Sequence, residues 1–142
     1  MPRELIPTNA QKTKRAARER RSPYKVASSH TEFKRVTRKQ INAVVRKIVD
    51  EFNPEKVILF GSYAYGKPNV DSDVDMLVVM ESDERPSQRA SRVVGAILDV
   101  KTFPMDILVR TPQEIEHRLA IGDFFIEEIV GMGKTLHERR AA

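Results

Sequence analysis

The sequence predicts an α/β (α+β) protein with a small mixed sheet flanked by helices. Three apolar runs, at 57–60, 76–80 and 105–109, have the length of buried strands, and only the third contains a charged residue, Asp106. Around them, apolar residues recur at helical spacing, most clearly over 38–52 and 87–99. The chain of 142 residues is long enough for one modest core. The predicted order is helix, strand, strand, helix, strand, helix, helix.

Specific residues mark where the elements in the first half of this order begin and end. Thr37 and Gln40 have the form of a capping box, so a helix begins near 38, and Asn53-Pro54 ends it near 52. The strand over 57–60 closes at Gly61-Ser62, and a short helical turn over 63–65 follows. Residues 67–72 contain proline and asparagine and are predicted to form a loop.

The second half alternates strands and helices. A strand is predicted over 73–80, and Pro86 opens a helix over about 87–99. A third strand covers 105–109. Thr111, Pro112 and Glu114 combine an N-cap, a first-turn proline and a capping-box acid, so a helix runs to about 120. Asp123 caps a last helix over 124–131, and a short strand over 134–137 is the final expected element.

Positive charge is concentrated at the start of the chain. Residues 1–40 carry 12 Lys/Arg and 3 Asp/Glu, a net of +9, whereas residues 41–142 carry 13 and 17, a net of −4. We therefore expect a basic, flexible extension over 1–36, with a transient helix over 10–21, ahead of a domain over 37–140. Two interpretations of the extension stay open: a solvated segment, or an arm that contacts nucleic acid or a partner.

Several protein classes are excluded or disfavoured. The chain has no cysteine, so disulfides and thiolate metal sites are excluded and a reducing compartment is indicated. No apolar run approaches the roughly 18 residues of a membrane span, and the N-terminus has no secretory apolar core. We expect a cytoplasmic protein that does not engage a membrane.

Three aspartates are the candidate metal ligands. Asp73 and Asp75 have strand spacing, so their side chains share one face of the strand. Two such like charges repel unless a cation compensates them, and Mg²⁺ is usually held by one or two carboxylates together with substrate phosphates. Asp106 lies inside the third apolar run, where a charge is costly unless it is paired or coordinates an ion. If the second and third strands are neighbours, the three acids form one metal-binding triad.

Gly61 and Ser62 are the candidate phosphate-binding residues. Glycine allows close backbone approach, and the serine adds a hydroxyl where a following turn directs N–H groups toward an anion. The two other glycine-rich phosphate signatures, the P-loop and the dinucleotide fingerprint, are missing from the sequence.

Each of these features alone also has an ordinary structural explanation, such as turn capping, strand termination or an edge-strand charge facing solvent. Their combination is what indicates function. Arg85, Arg89 and Arg92 are interpreted as a solvated helix face, with phosphate contact as the alternative. Tyr63 and Tyr65 could stack on a base or pack in the core.

Two stretches together carry a family resemblance. Residues 59–66, Leu-Phe-Gly-Ser-Tyr-Ala-Tyr-Gly, followed by residues 71–79, Asp-Ser-Asp-Val-Asp-Met-Leu-Val-Val, resemble the minimal nucleotidyltransferase (MNT) domain of the DNA polymerase beta-like superfamily. The resemblance covers about 37–140. It implies that Gly61 and Ser62 contact the nucleotide, that Asp73 and Asp75 bind Mg²⁺, and that Asp106 is the third carboxylate and helps to activate the nucleophile.

The resemblance also implies an activity and a partner. Fewer than ten residues follow Gly133, so no fused helical acceptor domain is expected, and the chain resembles the antitoxin of HEPN/MNT toxin–antitoxin pairs. In that setting the implied reaction is transfer of AMP from ATP to a tyrosine of the HEPN toxin. Two alternatives stay open: a non-catalytic antitoxin that acts by occlusion, and a small-molecule nucleotidyltransferase whose acceptor site forms between two copies.

Overall fold

A computed structural model of the chain describes residues 33–140. The helices and strands below all belong to one compact unit that begins at Arg35. The expected helix over 10–21 and most of the expected extension over 1–36 lie outside the described residues. The start of the domain at residue 37 therefore stays a prediction.

Five helices and four strands make up the described part of the chain, in the order α1 (Arg38–Phe52), β1 (Lys56–Phe60), α2 (Ser62–Tyr65), β2 (Val74–Val79), α3 (Pro86–Ala96), β3 (Met105–Arg110), α4 (Pro112–Ala120), α5 (Phe124–Met132) and β4 (Lys134–Glu138). The predicted mixed α/β architecture is confirmed. The capping boxes at Thr37 and Thr111 are present, and the Asp123 side chain accepts from two N–H groups of α5. These caps satisfy helix N–H groups that have no intrahelical acceptor.

The strands form one sheet in the order β3-β2-β1-β4. Strand β1 is antiparallel to both β2 and β4, whereas β2 and β3 are parallel. Helix α3 lies in the connection between the two parallel strands, as such a crossover requires. The expected adjacency of the second and third strands is confirmed. It places β3 at an edge of the sheet.

Different helices cover the two faces of the sheet. One face packs against α1 and α3 and carries the larger buried cluster, which includes Val44, Ile48, Val57, Met76 and Val109. The other face carries a smaller cluster beneath α5, which includes Ile58, Phe60, Leu77 and Ile129. Strand alternation assigns residues to these faces. Phe60, Asp75 and Asp106 are cross-strand partners and therefore lie on the second, less covered face.

Two predicted helix features need correction. Helix α3 ends at Ala96 and not near 99, because the chain turns at Ile97, whose buried side chain fills the first face of the sheet. Arg89 was expected on a solvated helix face, but it is only 4% exposed. Its guanidinium binds Glu114 of α4 through both carboxylate oxygens, at 2.6 and 3.0 Å. Helical periodicity could not predict this ion pair, because Glu114 lies 25 residues further along the chain.

Across residues 33–140, none of the helices combines the length and the apolar character needed to cross a membrane.

Candidate active site

The site begins at the glycine that ends β1. Gly61 has φ 73° and ψ −157°, a conformation that is essentially restricted to glycine. A Cβ at this position would lie 2.2 Å from Oδ2 of Asp75. The glycine therefore serves two needs, since it permits the turn into α2 and leaves room for the carboxylate beside it. Ser62 follows as the first residue of α2, where helix N–H groups have no intrahelical acceptor.

The aspartates come from two neighbouring strands. Asp75 lies in β2 and pairs in register with Asp106 of β3 on one side and with Phe60 of β1 on the other. Asp73 precedes β2 and is exposed, Asp75 is half-buried, and Asp106 is exposed on the edge strand. The structure thus brings Gly61, Asp75 and Asp106 together across three adjacent strands. The condition on which the sequence grouped the three acids, that the second and third strands are neighbours, is met.

The electrostatics of Asp75 reflect uncompensated negative charge. The pKa of Asp75 is raised from 3.8 to about 6, first by burial and then by the nearby carboxylates of Asp106 and Asp73. Within residues 33–140, none of these three acids takes part in an ion pair. A carboxyl group in this state gains from a cation that lets it ionise.

The oxygen donors fit Mg²⁺, which prefers carboxylates and substrate phosphates. In the described part of the chain, however, no three acidic or imidazole side chains already stand as a closed metal-binding group.

The two tyrosines after Ser62, Tyr63 and Tyr65, lie in different surroundings. Tyr63 is buried in the larger cluster, and its hydroxyl accepts the N–H of Val36 at 3.1 Å. Of the two alternatives left open by the sequence, packing in the core therefore applies to Tyr63. Tyr65 lies on the aspartate side, where burial raises the pKa of its phenol and a hydrogen bond to Glu128 and the charges of Glu128 and Asp75 add to the rise.

Helix α5 supplies neighbours of the site that the motif did not indicate. Glu128 Oε2 accepts the Tyr65 hydroxyl at 2.8 Å. The Phe125 ring meets the Phe60 ring edge-on, with centroids 5.7 Å apart. Sequence periodicity defines an amphipathic helix here but not what it covers. The adjacent pairs Phe124-Phe125 and Glu127-Glu128 were the only local signal.

Replacement of Gly61 by alanine tests this arrangement. We expect Gly61→Ala to lower the free energy of unfolding by about 1–3 kcal/mol, because alanine disfavours the glycine-only conformation and its Cβ displaces the Asp75 carboxylate. Chemical denaturation measures the change, and nucleotide binding should weaken with it.

Gly95→Ala is the matched control for this change. A Cβ at Gly95, within α3, meets nothing within 4 Å, so the substitution should stabilise the protein by about 0.5–1 kcal/mol. Equal and small effects of the two substitutions would contradict the described geometry of Gly61.

The chain is similar to known proteins in sequence and in structure. The family model of the nucleotidyltransferase domain matches residues 41–133, which include all of the candidate site. A Methanocaldococcus jannaschii protein named "Putative protein adenylyltransferase" is 30% identical over 96 residues, covering 68% of this chain and 87% of that protein. A solved structure named as a "putative nucleotidyltransferase from Sulfolobus solfataricus" aligns with a TM-score of 0.49 and 20% identity, over 71% of this chain and 79% of that one.

The family model spans well over half of the chain, from α1 to the end of α5. The chain therefore belongs to the nucleotidyltransferase domain family.

Proposed function

We propose that this nucleotidyltransferase transfers AMP from ATP to a tyrosine of a partner protein in the cytoplasm, and that the partner is a HEPN-type toxin. In this proposal Gly61 and Ser62 bind the triphosphate, and Asp73, Asp75 and Asp106 are the catalytic carboxylates and the Mg²⁺ ligands. The observation that carries it is the in-register pairing of Asp75 and Asp106 beside the glycine turn.

A protein acceptor and an adenylyl group are supported by the relative from Methanocaldococcus jannaschii, whose name specifies protein adenylyltransfer. The HEPN partner and its tyrosine rest on the resemblance of the motif to the MNT antitoxins. The acidic charge of residues 41–142 is compatible with a substrate that arrives as a metal complex, because bare triphosphate would be repelled.

The chemistry divides between the two parts of the site. Gly61 and Ser62 hold the leaving end of the nucleotide with backbone and hydroxyl donors. The acceptor hydroxyl oxygen attacks the α-phosphorus, the bond from that phosphorus to the bridging oxygen breaks, and pyrophosphate leaves. Asp106, the exposed acid at the sheet edge, is placed to accept the hydroxyl proton. Asp75 orients the reactants from its half-buried position.

Bound Mg²⁺, held by the aspartates, would neutralise phosphate charge and stabilise the leaving pyrophosphate.

Co-expression of the chain with a HEPN-type protein, followed by mass spectrometry of the HEPN protein, tests the proposal. We expect the mass of one or more AMP groups on a tyrosine. ATP labelled at the α-phosphate should transfer its label to the partner, whereas ATP labelled at the γ-phosphate should not.

The Asp73→Ala and Asp75→Ala variants separate catalysis from occlusion. Loss of label transfer in both variants supports the proposal. Neutralisation of the toxin by variants that transfer nothing would instead assign a binding role to the chain. Label that appears only on small molecules would contradict a protein acceptor.

A further inference from the structure

Helix α5 carries an apolar surface that no described residue covers. Phe124 is 83% exposed, Phe125 52% and Met132 56%. The buried residues of the helix, Ile126 and Ile129, point to the sheet. At about 100° per residue, Phe124, Glu128, Met132 and Phe125 fall within an arc of about 100° on the outward side. We call these four residues the α5 outer face.

The α5 outer face adjoins the candidate active site through two direct contacts. Phe125 packs on Phe60, the cross-strand partner of Asp75. Glu128 accepts the hydroxyl of Tyr65, four residues after Gly61. A molecule that covers the face is therefore positioned to reach the aspartates. The exposed aromatic side chains are of the type that anchors protein interfaces, and exposed apolar patches commonly mark such sites.

The negative charge around the α5 outer face favours a partner with a basic surface. Glu127 and Glu128 lie in the same helix, and neither forms an ion pair within residues 33–140. The three aspartates of the site add negative charge nearby, and residues 41–142 carry a net charge of −4. A complementary surface is apolar at its centre and basic at its rim.

We propose that the α5 outer face is the docking surface for the acceptor protein, which presents an apolar patch bordered by Lys or Arg and thereby delivers its hydroxyl to the aspartates. This inference rests on the proposed function, since it identifies how the acceptor of that reaction is held. The docking inference adds to the proposed function that the acceptor is recognised on α5, whereas the nucleotide binds at Gly61 and Ser62.

A comparison of two exposed apolar positions tests the proposal. Phe124→Glu places a charge on the α5 outer face. Leu98→Glu is the matched control, because Leu98 is 65% exposed just beyond α3, which packs on the opposite face of the sheet. The probe is the purified polypeptide that takes up AMP in the co-expression experiment, and the readouts are its KM, its kcat and, separately, ATP–Mg²⁺ binding by calorimetry.

We expect Phe124→Glu to raise the KM for the acceptor by about tenfold or more, with ATP binding unchanged, and Leu98→Glu to change neither. Met132→Glu should reproduce the effect, and Glu127→Lys should also raise the KM by opposing the basic rim. Circular dichroism of each variant checks that the fold is retained.

Three outcomes would overturn the proposal. Equal acceptor KM values for the Phe124→Glu and Leu98→Glu variants would overturn the docking surface while leaving the transferase activity intact. A wild-type mass in light scattering that Phe124→Glu reduces to that of a monomer would assign the face to a second copy of the chain. No label transfer by the wild-type protein would remove the proposed function, and the docking inference with it.

Discussion

Asp75→Asn is expected to abolish nucleotidyl transfer while the fold is kept. The substitution preserves the shape of the side chain but removes the negative charge at the centre of the three strands. Removal of one preorganised electrostatic group typically lowers kcat by about 10²- to 10³-fold, and loss of a metal ligand adds to that. Initial rates of label transfer from ATP measure the effect.

The same substitution should increase the stability of the metal-free protein. The folded-state pKa of Asp75 is raised to about 6 from 3.8, so ionisation penalises the folded state. The penalty is small below pH 3.8, grows as the pH rises toward about 6 and is complete above it. The free energy of unfolding of the wild type should therefore fall across this interval, and that of Asp75→Asn should fall less.

Denaturation at a series of pH values, with and without Mg²⁺, checks this expectation. Mg²⁺ should relieve the penalty in the wild type and have little effect on the variant. Asp50→Asn, an exposed acid on α1, is the control and should leave the pH dependence unchanged. If the free energy of unfolding of the wild type changed between pH 4 and 6 in the same way as that of Asp75→Asn, the described environment of Asp75 would be contradicted.

Arg89→Ala is expected to cause the largest loss of stability, about 3 kcal/mol. The Arg89 guanidinium joins α3 to three other places in the described chain, because it contacts the Glu84 carbonyl at 2.8 Å, the Val109 carbonyl at 3.4 Å and both oxygens of Glu114. Truncation removes the charged partner of Glu114 and one donor from each of these acceptors, and broken buried pairs cost about 3–5 kcal/mol. The lower end applies because the Glu114 side chain is 36% exposed.

Two variants isolate the geometry of this pair. Arg92→Ala removes an exposed arginine of the same helix that pairs with Glu84, and it should cost less than about 1 kcal/mol. Arg89→Lys should recover only part of the stability, because an ammonium group cannot reproduce the two-oxygen contact. Urea denaturation compares them. Equal losses for Arg89→Ala and Arg92→Ala would show that burial of the pair is irrelevant.

The Arg89–Glu114 ion pair should also affect how the free energy of unfolding changes at acidic pH. The hydrogen bond from Arg89 lowers the pKa of Glu114 from 4.5 to about 2. Its contribution is present above pH 4.5 and is lost as the pH falls toward about 2. Arg89→Ala should lack this loss.

Local signals were sufficient for most of the secondary structure. Thr37, Thr111 and Asp123 cap helices where the sequence predicted caps, because a capping side chain binds N–H groups only two or three residues away. Strands β1 and β2 could be predicted from continuous apolar runs, because nearly all of their residues are buried on both faces of the sheet. The end of α3 was misplaced because Ile97 could extend either a helix or the core.

The sequence by itself determined the chemical identity of the candidate site. A glycine after a buried strand, two acids at strand spacing and an acid within a third strand restrict the chemistry to few choices, and the strand order then had to bring them together. Tertiary structure decided what depends on long sequence separations: the burial of Arg89 against Glu114, the contact of Tyr65 with Glu128, and the edge-on packing of Phe125 against Phe60. The spacing of residues along the chain predicts local secondary structure. These contacts, in contrast, form only when segments that are distant in the sequence pack on the same sheet.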